Sequence, residues 1–161
     1  MTQQKEPRLK VAPASIKRFK EKLKEAFHKG RGRNLGRFID QDLNSILRGW
    51  GNYFIHSQVI TTYEDLDSWI RRRLRKILWQ QWKRHRTRRD NLIRRGIAPQ
   101  RAIESSLNGR GSWWNSGASH MNEAYPKSYF DKVGLISLLD GLRWRQRMIR
   151  TAVYGTVRTV V

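Results

Sequence analysis

Arg71, Arg72, Arg73, Arg75 and Lys76 stand within six consecutive positions, and Lys83, Arg84, Arg86, Arg88, Arg89, Arg94 and Arg95 follow within the next nineteen. Asp90 is the one acid among them, so residues 71–95 carry a net charge of +11. Solvated helix faces ordinarily mix signs, and single-sign density over this length points to a surface for a polyanion. Ten of the twelve bases are arginine. A guanidinium grips phosphate through paired N–H donors and also stacks on bases, which suits RNA with its unpaired loops. Trp79 and Trp82 are interleaved with the charge; helical spacing assigns Trp82 to the core and leaves Trp79 open as a stacking residue. A second candidate contact is NGRGSWWN, residues 108–115. Its glycines let backbone approach a phosphate, Arg110 adds charge, and Trp113 and Trp114 could stack on bases. A connecting loop whose tryptophans plug the core fits that stretch equally well.

Other reactive residue types form no constellation. Asp40 and Asp42 are next-but-one neighbours, which a helix points to different sides. Glu64, Asp65 and Asp67 suit the positive end of a helix that starts near them. His28, His56, His85 and His120 stand at no ligand spacing from one another, and each reads as an ordinary surface or core histidine. The chain has no cysteine, which excludes disulfides and zinc-binding cysteine modules. Neither a phosphate-cradling glycine loop nor a pair of adjacent aspartates for two-metal chemistry is present. The expectation is a protein without a catalytic centre, a metal or a cofactor.

Composition agrees. Lysine and arginine number 34 against 13 acids among 161 residues, a formal charge of +21. Like charges repel in a compact fold, so a polyanionic partner is the natural counterweight. Nucleic acid leads, and an anionic membrane is a distant second. The basic stretch is internal and has no separate apolar face, and no run approaches the ~18 apolar residues of a spanning helix. The opening MTQQKEPRLK is charged where a signal peptide would be apolar, so the reading is a cytoplasmic protein with no membrane partner.

The elements that must carry these residues read as helices. Residues 1–13 form a lead-in segment in which Arg8–Leu9–Lys10–Val11 alternates like a strand. Ser15 caps a first helix with Ile16, Phe19, Leu23 and Phe27 on one face, ended by Gly30–Arg31–Gly32. A second runs from near Asn34 for about five turns, with Leu35, Ile39, Leu43, Ile46, Leu47, Trp50 and Phe54 in period. Gly49 and Gly51 inside it read as sites of close helix packing. The third and longest covers about residues 62–83 and starts on a Thr62/Asp65 capping pair. Its buried stripe is Leu66, Trp69, Ile70, Leu74, Ile77, Leu78 and Trp82, so the bases spread around the remaining circumference. A fourth helix is expected over about 88–95 and a fifth over 99–107. After the break at 108–112 come the tryptophan pair, a helix capped by Ser116 or Ser119, and a last helix over about 131–150. The tail from Thr151 is ambiguous. The fold class is all-α: a thumb-like bundle of about three long helices (residues 14–95) and a smaller helical C-terminal segment (96–161).

Four segments in order, APASIKRFKEKLKE, LNSILRGWGNYF, YEDLDSWIRRRLRKILWQQWKR and NGRGSWWNSGASHMNEAYPKSYFDKVGLISLLD, resemble the maturase-specific region of bacterial group II intron reverse transcriptases. The resemblance covers roughly residues 7–142. It implies the helical thumb, or domain X, which follows the fingers and palm, helps to hold template and primer, and binds the intron RNA so that it folds for splicing. It assigns RNA contact to Arg71, Arg72, Arg73, Arg75, Lys76 and the bases that follow.

The fingers and the palm's paired catalytic aspartates are missing from the resemblance, and no cysteine-bearing nuclease domain is expected. The expected partner is therefore group II intron RNA, bound by a splicing cofactor. Two alternatives stand beside it: a thumb that holds a template–primer duplex only together with a fingers–palm reverse transcriptase portion, and a general nucleic-acid binder. The strand-like residues 8–11 resemble the exit of the palm, as a degraded remnant or a piece of a longer polypeptide would show. Oligomeric state is left open.

Overall fold

A computed structural model describes residues 10–53 and 60–158. Among the described residues every regular element is helical, as expected for an all-α chain. Of the strand-like lead-in, residues 8 and 9 lie outside the described residues. Lys10 and Val11 form no strand, and Val11 is buried.

The first helix, α1 (Pro13–Gly30), begins three residues earlier than the Ser15 cap implies. Proline stands at its first position and Ala12 precedes it with no side-chain cap. Phe19, Leu23 and Phe27 are buried along one face, as the periodicity requires. The expected five-turn second helix is divided into α2 (Leu35–Phe38), a π-helical turn (Ile39–Leu43) and α3 (Asn44–Tyr53). Leu35, Ile39, Leu43 and Leu47 recur every four residues and are all buried. An α-helix would rotate such a row by about 40° per step, and the wider turn takes up part of that drift. Gly51 packs closely, with Leu138 and Arg145 within 4 Å of where a Cβ would sit, whereas Gly49 meets open space. Phe54 lies outside the described residues.

The long basic helix, α4 (Ile60–Gln81), starts ahead of the Thr62/Asp65 pair and ends just short of residue 83. Leu66, Ile70, Leu74, Ile77, Leu78 and Trp82 are buried as the stripe predicts, and Trp69 is half-buried. Rings knit these elements together: Phe19 stacks on Trp50 at 4.4 Å, and the Phe27 ring meets Phe38 and Trp69 at 6.0 Å each.

The remaining elements are α5 (His85–Arg94), α6 (Pro99–Ser106), α7 (Ser112–Gly117), α8 (Ser119–Ala124), α9 (Lys127–Val133) and α10 (Leu138–Arg158). The expected single helix over 131–150 is interrupted, because Gly134 takes a left-handed φ of 93° that ends α9. Two buried polar side chains hold that turn. Asn44 donates to the Gly134 carbonyl at 2.8 Å and accepts from the Ile136 amide at 3.0 Å. Asp67 accepts from Ser137 Oγ (2.8 Å) and from the amides of Leu138 (2.9 Å) and Leu139 (3.0 Å). Asp67 therefore serves the start of α10 rather than the start of its own helix. α10 extends into the ambiguous tail and exposes Trp144, Met148, Ile149, Val153 and Tyr154. No described helix is long and apolar enough to cross a membrane.

Candidate nucleic-acid interface

The position of each base on α4 follows from which neighbours cover it. Asp67, Arg71, Arg75 and Trp79 recur every four residues, one stripe along the helix. The C-terminal half of the chain packs on this stripe. Arg75 is only 7% exposed, donates to the Tyr125 carbonyl at 2.8 Å, and lies over the Phe130 ring. Burial, with the Arg71 charge adding to it, lowers its pKa to about 10. Trp79 is 1% exposed and packs on His120, with centroids 5.4 Å apart, and on Trp82 at 6.2 Å. Arg75 and Trp79 therefore leave the list of contact residues. Arg75 is expected on the open circumference and Trp79 is open to either role; α8 and the turn after it close that side. Arg71, half-buried, lies on the same stripe between Asp67 and Arg75.

Arg72, Arg73 and Lys76, each also half-buried, lie off that stripe on the face here called outer. Arg72 lies 3.9 Å from the Trp113 ring centroid and donates to the Trp113 carbonyl at 3.0 Å. Gly117 makes room for it, since a Cβ there would stand 2.7 Å from the guanidinium carbon. Arg73 lies 5.1 Å from both Trp69 and Trp113, and burial lowers its pKa. The tryptophan pair is thus neither core plug nor bare platform. Trp113 and Trp114 are 39% and 44% exposed, each with an arginine laid on one face, Arg110 covering Trp114 at 4.7 Å.

Beyond α4, Lys83, Arg84 and Arg86 are exposed around the first turn of α5, which contains no acid. Cations at a helix N-terminus oppose the helix dipole, so this placement costs stability until an anion arrives. Arg88 is half-buried over Trp79 at 4.5 Å, and Arg89 is taken up by an ion pair with Asp90. Arg94 is exposed and bonds Asn91, while Arg95 donates to the Ala124 carbonyl and covers Tyr129 at 4.6 Å. Among the described residues, Arg72, Arg73, Lys76, Lys83, Arg84 and Arg86 form no ion pair.

The polar knot that shapes the 108–115 loop has a weaker sequence signal. Buried Asn115 donates to Asn108 Oδ1 (3.1 Å) and to the carbonyls of Arg110 and Gly111 (3.0 Å each), and accepts from Asn108 Nδ2 and His120 Nε2. Asn108 also accepts from the Arg110 amide two residues on, an Asx-type turn that the Asn-Gly pair could have announced. No group of three or more acids and histidines stands together for a metal among the described residues.

Residues 16–96 match the family model of the group II intron maturase-specific domain, half of the chain. The chain belongs to that family. No curated protein matches it. The matched span of the maturase-specific domain runs from α1 to Gly96 and so contains all of α4 and α5, whose bases form the surface described above. The maturase-specific domain is in general a non-catalytic region.

Proposed function

We propose that this maturase-specific domain binds group II intron RNA and assists its splicing, contacting the RNA backbone through the outer face of α4 and the start of α5. The observation that carries this reading is the run of unpaired cations Arg72, Arg73, Lys76, Lys83, Arg84 and Arg86. Their mutual repulsion is left uncompensated within the fold, and RNA phosphates would relieve it. Trp113, held under Arg72 and Arg73 with part of its surface free, supplies a place where an unpaired base could stack. Chemistry is not required of the domain. Its role is to neutralise phosphates where RNA helices must approach one another.

The test is a salt titration of intron-RNA binding by the full chain and by a variant with Arg72, Lys76, Lys83 and Arg86 changed to glutamine. Each phosphate contact contributes about −0.7 to −0.9 to the slope of log affinity against log salt, so the variant should flatten it by roughly 3. An unchanged slope in a variant that keeps its helical circular dichroism would refute the assigned surface.

A further inference from the structure

A small cavity of about 120 Å³ opens between the C-terminal turn of α1 and the outer face of α4. Lys24, His28 and Arg31 reach it from α1 and the residue after it, Arg73 and Lys76 from α4, and Gln80 completes the rim. No acid lines it. Helix polarity explains only part of this charge: His28 and Arg31 suit the negative end of α1. Arg73 and Lys76 stand mid-helix on α4, where the dipole offers them nothing. The two sides are tied together, because Gln81 donates to the carbonyls of Arg31 and Arg33 at 2.9 Å each.

The cations also act on one another. Burial lowers the Lys76 pKa, and the charges of Arg73 and Arg31 lower it further. Arg73 Nε is buried with no hydrogen-bond partner. A buried donor left unpaired in a cavity shared with Lys24, Arg31 and Lys76 is costly unless an anion completes the set. The tetrahedral phosphate group offers several acceptor oxygens and negative charge in a volume this cavity can hold.

We infer that the α1–α4 cavity is a phosphate-binding site that takes one backbone phosphate of the bound RNA. This rests on the proposed RNA-binding reading and adds α1 to the contact surface, through Lys24, His28 and Arg31.

The experiment has two arms on the full chain, comparing wild type, Arg31→Gln/Lys76→Gln, and a Lys132→Gln control on α9, exposed and outside both the cavity and the proposed RNA surface. In the first arm, thermal unfolding is followed as sodium phosphate replaces sodium chloride at constant ionic strength. Phosphate should raise the midpoint of the wild type and the control, and the double variant should lose that rise. In the second arm, the slope of RNA affinity against salt should flatten in the double variant by about 0.7–0.9, one phosphate contact. Lys24→Gln, exposed on α1, replaces Lys76→Gln should the latter unfold. RNA binding with an unchanged slope in the cavity variants overturns the inference and leaves the RNA-binding reading standing. A phosphate response that depends on these residues, in a chain that does not bind RNA, overturns both the backbone-phosphate assignment and the proposed function in favour of free phosphate.

Discussion

The Arg72 guanidinium lies 3.9 Å from the Trp113 ring centroid and donates to that residue's own carbonyl at 3.0 Å, joining α4 to α7. One contact thus orients a phosphate-seeking cation and fixes the tilt of a half-exposed indole. A cation–π contact at such a site is worth about 0.5–1 kcal/mol. Trp113→Ala should therefore cost little stability. It should weaken intron-RNA binding by about 1–3 kcal/mol if a base stacks there. Fluorescence-anisotropy titration beside thermal unfolding checks this, and full affinity in the variant would remove Trp113 from the interface.

Arg75 should behave in the opposite way. Its side chain is the buried donor to the Tyr125 carbonyl, and removal leaves that oxygen unpaired inside the fold. Arg75→Ala should destabilise the domain by about 2–4 kcal/mol in chemical unfolding. The salt slope of RNA binding, measured well below the unfolding midpoint, should stay at its wild-type value. A flatter slope would put Arg75 back among the phosphate contacts.

Asp67 caps an element more than seventy positions away. Asp67→Ala should cost about 1–2 kcal/mol, as the loss of a helix cap does. Hydrogen exchange should accelerate first at the Leu138 and Leu139 amides. Uniform acceleration across α4 would mean that Asp67 stabilises its own helix instead.

His120 makes stability depend on pH. Burial and the nearby Arg101 charge hold its pKa below the ordinary 6.5, with Glu123 opposing them. The unfolded chain therefore binds a proton here at a pH where the folded chain does not. The contribution is complete above 6.5 and is lost as pH falls from there toward the folded value. The midpoint of thermal unfolding should drop as pH falls below about 6.5, and His120→Asn should reduce that drop. An identical drop in the variant would assign it to other groups.

Periodicity and charge made much of this domain legible. The apolar spacing in α1 and α4 identified Leu23, Leu66, Ile70, Leu74 and Trp82 as core, because an amphipathic helix has only one economical way to face its neighbours. The run of bases raised the expectation of a polyanion partner through charge density alone. What spacing could not show is how many sides of α4 are covered. Residues 112–133 fold back over a second stripe of that helix, so Arg75 and Trp79 are buried while Arg72, packed on Trp113, stays half-buried. The Asn44 and Asp67 clamps on the turn into α10, and the meeting of α1 cations with Arg73 and Lys76, likewise join residues dozens of positions apart. A local pattern records which face of a helix is apolar, whereas burial of a charged side chain depends on a distant carbonyl arriving to receive its hydrogen bond, and only the tertiary fold supplies that.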